Sequence, residues 1–213
     1  DVLETCKQLE QEGYEVTYLA PDQGGLITAQ QVLEAVRPDT AAVSVMLVNN
    51  ELGTVYPIRD IAQGLPRRNP KTLLHTDAVQ GLTAFFARDL GADLISVSAH
   101  KIGGPKGVGA LYLGPRVKRP RPLLAGGGQE NGLRSGTEAT AQMAGFAKAA
   151  ELRMASLERD RAHLADLRAY AQERLLAIPD MVPVGQGTAP HVLSLSLAGW
   201  PSQNIVNDLG AQG

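Results

Sequence analysis

The 213-residue sequence predicts an α/β fold: a mostly parallel sheet with flanking helices, then a long connecting helix and the beginning of a smaller α+β domain. Three observations predict it. Short apolar runs of strand length alternate with segments of helical periodicity through the first half of the chain. The 23 Gly and 13 Pro follow no fixed period, which suits a loop-rich α/β protein and excludes a coiled coil, solenoid or collagen. From Thr137 to about Ile178 there is no Pro and a single Gly, as a long helix requires.

In chain order, Val2, Leu3, Cys6 and Leu9 recur at helical spacing before Gly13, with Cys6 on the apolar face and so expected in the core. Tyr14 to Leu19 then alternates like a short strand. Ala29 to Val36 has helical spacing and stops before Pro38, and Ala41 to Val48 is a continuous apolar run of the buried parallel kind. The alternation repeats with Ile58 to Leu65 as helix and with Thr72 to Thr76, Leu94 to Ser98 and Val108 to Leu113 as strands. In the long helix Met143, Ala150, Leu157, Leu164 and Ala171 recur every seven residues, while Glu158, Arg159, Asp160 and Arg161 form a solvated face. Beyond Pro179 a β-like run, His191 to Leu197, precedes a short helical one, Asn204 to Leu209. The terminal Gly210-Ala211-Gln212-Gly213 reads as loop.

Charge excludes some partners. With 20 Lys+Arg against 22 Asp+Glu, a net charge of −2 and both signs scattered, there is no clustered basic face for nucleic acid or an anionic membrane. No apolar run approaches the ~20 residues that span a bilayer, and Asp1-Val2-Leu3-Glu4 lacks a signal-peptide pattern. The single Cys6 allows no internal disulfide, so a reduced, cytoplasmic setting is expected. Neither Cys6 nor His75, His163 and His191 shows metal-ligand spacing, and no metal site is expected.

In open α/β sheets ligands bind beyond the carboxyl ends of the strands, so polar residues there carry the functional signal. One group is Asp77 with Gln80, in Leu73-Leu74-His75-Thr76-Asp77-Ala78-Val79-Gln80, where Asp77 either caps the next turn or meets a ligand. Another is Ser98-Ala99-His100-Lys101-Ile102-Gly103-Gly104-Pro105-Lys106-Gly107. A lysine at a partly desolvated strand end tends toward the neutral amine that attacks carbonyls, so Lys101 reads as a Schiff-base lysine, the alternative being an ordinary turn lysine. Pyridoxal phosphate enzymes need such a lysine and an acidic group that keeps the pyridine nitrogen protonated, roles that Lys101 and Asp77 fit. The third group, Gly126-Gly127-Gly128-Gln129-Glu130-Asn131-Gly132-Leu133-Arg134-Ser135-Gly136-Thr137, is either an anion-binding loop or a linker with Thr137 capping the long helix.

Together with Val48-Asn49-Asn50-Glu51-Leu52-Gly53, these segments resemble the cysteine desulfurases of the NifS/IscS type, class V within the fold-type I pyridoxal phosphate enzymes. The resemblance covers essentially the whole chain. It implies that residues 1–152 are the central part of a cofactor-binding large domain and 153–213 the connecting helix and start of a small C-terminal domain, truncated at both ends. It implies that Lys101 carries pyridoxal 5'-phosphate as an imine and moves the substrate Cα proton, that Asp77 pairs with the pyridinium nitrogen and that Gln80 hydrogen-bonds the phenolic oxygen. Asn50 matches a cofactor-contacting position, Ser98 and His100 match phosphate-binding positions, and Thr137 matches one reaching the phosphate of the other subunit of a homodimer. The implied reaction converts L-cysteine to L-alanine and passes sulfur to a protein cysteine as a persulfide, for an iron–sulfur scaffold or another sulfur acceptor.

The resemblance also places a phosphate-binding Thr and a ring-stacking His before Asp1, and the persulfide-forming Cys and carboxylate-binding Arg after Gly213. These 213 residues alone are therefore expected to be inactive. Other class V enzymes, a selenocysteine lyase or an aminotransferase, share the lysine and aspartate, and a non-catalytic module with this fold is the alternative outside enzymology.

Overall fold

Apolar runs between turn residues condense into one sheet, β1 (Ala42–Met46), β2 (Leu73–Asp77), β3 (Leu94–Ser98) and β4 (Gly109–Leu113), ordered β1-β2-β3-β4. The computed structural model describes residues 2–85, 90–118 and 120–212; Asp1 and Gly213, the outer bounds of the two stretches predicted above, lie outside them. β1 pairs parallel with β2 and β2 with β3, while β4 returns antiparallel to β3. The mostly parallel sheet is as predicted. Parallel neighbours need crossovers, and α3 (Ile58–Arg68) supplies the one between β1 and β2.

The helices over the sheet are set by local signals. α2 (Ala29–Ala35) begins with a capping box: the Gln31 amide donates to Thr28 Oγ1 at 3.2 Å, and the Thr28 amide donates back to Gln31 Oε1 at 2.8 Å. In α3, Ile58, Ile61 and Leu65 line one stripe and are buried, with Asp60 in the first turn and Arg67 and Arg68 in the last, each charge favourable to the helix dipole. That stripe joins Val32, Leu47, Val48, Tyr56 and Leu74 in the main core.

At the edge of the sheet opposite the predicted site, an ion pair with a buried carboxylate fixes strand entry. Asp93 Oδ2 accepts from the Leu74 amide at 2.9 Å and from Arg116 Nη1 at 3.1 Å. Arg116 Nη2 also donates to the Pro70 and Thr72 carbonyls. One carboxylate and one guanidinium thus tie the starts of β2 and β3 to the end of β4.

α4 (Thr140–Leu176) is the expected long helix, roughly 55 Å at 1.5 Å per residue. Its heptad series does not form a continuous buried seam: Leu157 is its one buried residue and Met143 is 42% exposed. Glu158 to Arg161 is not a uniform solvated face either. Asp160 accepts from Ser156, Arg153 and Arg159, and the Arg161 guanidinium lies 5.2 Å from the Phe85 ring centroid. The absence of a side chain at Gly145 lets α4 approach the loop after β3; a Cβ there would lie 2.7 Å from Pro105.

Other expectations are corrected. α1 (Val2–Gln11) forms, but none of its residues is buried and Cys6 is only half-buried, because no apolar layer covers its face. Tyr14 to Leu19 joins no ladder, since no strand lies beside it; Arg37 holds it from the side through Thr17 Oγ1 at 3.0 Å and Glu15 at 2.9 Å. β1 is an edge strand with alternating exposure rather than a fully buried one. After α4, β5 (Met181–Pro183) pairs antiparallel with β6 (Leu195–Leu197), so the run from His191 yields only three strand residues. α5 (Ser202–Gln212) takes in Gly210 to Gln212, which the sequence suggested as loop.

Replacing the buried Asp93 by Ala, which orphans the Leu74 amide and one Arg116 nitrogen, is expected to cost about 2–3 kcal/mol in urea unfolding. Asp39→Ala, removing an exposed partner of Arg37, is expected to cost under about 0.5 kcal/mol.

Candidate active site

The parallel register brings the predicted residues to one edge. Met46 pairs with Asp77 and Asp77 with Ser96, so the carboxyl ends of β1, β2 and β3 open on the same side. Chain continuity then places the turn after Asp77, with Gln80, beside the turn after Ser98, with His100 and Lys101. Thr83 Oγ1 donates to the Lys101 carbonyl at 3.4 Å, joining the two turns.

Asp77 takes the turn-closing one of the two roles open to it in the sequence. Its Oδ1 accepts from the Val79 amide at 3.0 Å, closing the turn after β2, and its second oxygen has no hydrogen bond among the described residues. Lys101 sits in the 3₁₀ turn Ala99–Ile102, which ends at Gly103 in the left-handed region with φ +82°. Its side chain is exposed and its amine has no ion-pair partner among the described residues. The desolvation expected from its strand-end position is therefore not present, because the turn carries it past the sheet edge. Ser98 Oγ lies 2.7 Å from His100 Nδ1, a bond that orients the ring and turns Nε2 toward other partners.

Asn50 is exposed at the end of the β1 extension, and its neighbour shapes the loop. Asn49 Oδ1 accepts from the Glu51 and Leu52 amides at 2.9 and 2.8 Å, a local turn that presents Asn50 outward. Thr137 is exposed and does not cap α4, since Ala139 occupies the cap position. The structure makes no hydrogen bond between Thr137 and the strand-end residues. The glycine-rich loop is more than a linker: the Ser135 amide donates to the Leu124 carbonyl, and Glu130 and Asn131 hold left-handed φ of 49° and 56°.

Two groups near this edge were not singled out by sequence. His75 accepts or donates at both ring nitrogens, 2.8 Å from Ser44 Oγ and 2.9 Å from Ser96 Oγ. Alternation along β2 would have placed it on the Asp77 face, but not its partners on other strands. The other is His191 with Arg153: both His191 ring nitrogens and Arg153 Nε and Nη2 are buried without hydrogen bonds. Burial, and secondarily Arg153, hold His191 below the ordinary 6.5, against a smaller opposing effect of the Gln80 backbone. Burial also lowers His75, partly offset by Asp77. A cavity of 590 Å³, lined by Tyr56, Ile58, Arg59, Phe85 and Arg161 among others, contains none of the predicted site residues.

Over residues 2–213 the chain matches the family model described as aminotransferase class-V. The chain belongs to the aminotransferase class-V family. It is 48% identical over 178 residues to the mitochondrial cysteine desulfurase of Arabidopsis thaliana, an alignment covering 82% of this chain and 38% of that protein. To the cysteine desulfurase IscS of Vibrio vulnificus it is 42% identical over 218 residues, covering 98% of this chain and 52% of that protein. A solved NifS-like protein superposes with a TM-score of 0.93 at 36% identity, covering all of this chain and 59% of that one. The chain thus spans about half the length, or less, of the curated relatives it matches. The large and small elements of this class V chain follow the NifS-like fold, as the sequence resemblance implied.

Because Asn49 ties two backbone amides and Asn50 ties none, Asn49→Ala is expected to lower stability by about 1–2 kcal/mol while Asn50→Ala leaves it unchanged, as measured by chemical unfolding. A pH effect follows from the two half-buried histidines. Their folded pKa values lie below 6.5, so unfolding takes up protons and stability falls as pH drops through 6.5 toward the folded values. The thermal midpoint is expected to decline over that range and to decline less in the His75→Gln, His191→Asn double variant.

Proposed function

We propose that the chain is the cofactor-binding part of a pyridoxal phosphate-dependent cysteine desulfurase. The observation that carries the reading is the pair Asp77 and Lys101 at the ends of adjacent parallel strands, each with an uncommitted polar end on the same edge. The residues present fit the cofactor. A carboxylate oxygen with no hydrogen bond among the described residues suits a protonated ring nitrogen, an amine with no ion-pair partner among them suits an aldehyde, and the Ser98–His100 pair offers donors for a phosphate.

Bound pyridoxal phosphate supplies an electron sink for the electron pair left when a Cα proton is removed. Asp77 holds the proton on the ring nitrogen, and the turn it closes presents Gln80 to the phenolic oxygen. Ser98 and His100 bind the phosphate from one subunit, and Thr137 reaches it from the other subunit of a homodimer. Asn50 contacts the cofactor from the β1 side. Lys101 anchors the cofactor and then holds and moves the substrate Cα proton.

The net reaction takes L-cysteine and a protein thiol to L-alanine and a protein persulfide. The Cβ–S bond breaks, a sulfur–sulfur bond forms and a proton is delivered to Cβ. The persulfide is handed to an iron–sulfur scaffold or other sulfur acceptor, in keeping with a reducing compartment such as the cytoplasm. The thiol is not Cys6, which is half-buried in α1.

In the intact protein, Lys101→Ala is expected to abolish the visible absorbance of bound cofactor and the borohydride-reducible adduct; persistence of both at another lysine would overturn the assignment. Asp77→Asn is expected to keep cofactor but lose most alanine formation, because an amide does not hold the ring nitrogen protonated. The 213 residues by themselves are expected to form no alanine from cysteine above a cofactor-only control, since groups that must act in one geometry fall outside them.

A further inference from the structure

His75, Ser44 and Ser96 share one face of three adjacent strands with Asp77. Side chains alternate along a strand, so His75 and Asp77, two residues apart, point the same way, with their Cα atoms about 7 Å apart. The pairing Met46 with Asp77 with Ser96, and Ser44 with His75, carries that face across the sheet. Both ring nitrogens of His75 are engaged, by Ser44 Oγ at 2.8 Å and Ser96 Oγ at 2.9 Å. A hydroxyl either donates or accepts, so the two serines satisfy a neutral imidazole in either tautomer. The strut thereby fixes the ring in place without a charged partner. Across β1 and β3 the ring faces uncharged serines, and Asp77 on its own strand is the charged group that acts on it.

We propose that His75, pinned between Ser44 and Ser96, is a positioning residue that keeps a neutral imidazole beside Asp77, reserving that carboxylate for the protonated ring nitrogen of the cofactor. The inference rests on the function proposed above. An imidazolium at this position would place a second cation next to Asp77 and compete with the ring nitrogen for its field. Burial holds the ring neutral near neutral pH, while the Asp77 carboxylate pulls in the opposite direction. The coupling is reciprocal: whatever neutralises Asp77 makes His75 harder to protonate, and protonating His75 weakens the attraction of Asp77 for a cation.

The first measurement needs no change at His75. In the cofactor-free intact protein, the His75 titration followed by NMR is expected to move down by roughly half a pH unit or more in Asp77→Asn. A second measurement compares pyridoxal phosphate affinity between pH 8 and pH 5.5 in the wild type and in His75→Gln, which keeps hydrogen-bonding capacity but does not titrate. By linkage, the wild type should lose about threefold more affinity than the variant over that range. An unmoved His75 midpoint, or parallel affinity profiles, with normal cofactor uptake overturns this inference alone. Absence of cofactor uptake by the wild type overturns the proposed function and takes the inference with it.

Discussion

The parallel register of β2 against β3 is the constraint on which the rest of the structure depends. Every residue assigned to the site lies at or beyond a strand end, so a one-residue slip would send Asp77 and Ser98 to opposite faces. The register is held from the far edge by Asp93, which binds the Leu74 amide and Arg116 while Arg116 grips the Pro70 and Thr72 carbonyls. A buried, hydrogen-bonded carboxylate is effective here because leaving either side unpaired is costly. Among the described residues, no ion pair lies at the carboxyl-end edge of the strands.

Turn chemistry converts that register into a cluster. Asp77 closes its own turn through Val79, Asn49 closes the one after β1, and Gly103 ends the turn holding Lys101. Each device spends a backbone-compatible group and leaves a neighbouring side chain, Gln80, Asn50 or Lys101, projecting outward. α4 backs this arrangement through Gly145 against Pro105. Farther along, Arg168 clamps the segment before β6 through the Val192 and Gly187 carbonyls, and the Gly53 carbonyl accepts from the amides of that segment at Thr188 and Ala189. The loop bearing Asn50 is thus held from both sides.

The polar face of the sheet adds a second layer behind the site. Ser44, His75 and Ser96 replace an apolar seam by a chain of hydroxyl–imidazole–hydroxyl bonds, and His191 lies near enough to Arg153 and the Gln80 backbone to feel both. Both histidines are kept below their ordinary pKa chiefly by burial. The candidate site residues thus stand beside half-buried imidazoles, and Asp77 opposes the effect of burial on His75.

The sequence by itself determined the order of helices and strands, because hydrophobic period and turn residues are local. Thus Leu94 to Ser98 became β3 and the Pro-free stretch became α4. It also singled out Asp77, Ser98, His100 and Lys101 as candidate site residues, because they end or directly follow apolar strands. Only the tertiary structure decided what depends on distant partners. Tyr14 to Leu19 alternates like a strand yet has no strand to pair with among the described residues, and Leu157 alone of its heptad series is buried, because burial depends on what packs against the helix. His75 looked like an unassigned histidine because its partners, Ser44 and Ser96, lie 31 and 21 residues away. Strand pairing, which brings them within 3 Å, is a non-local interaction that no local pattern encodes.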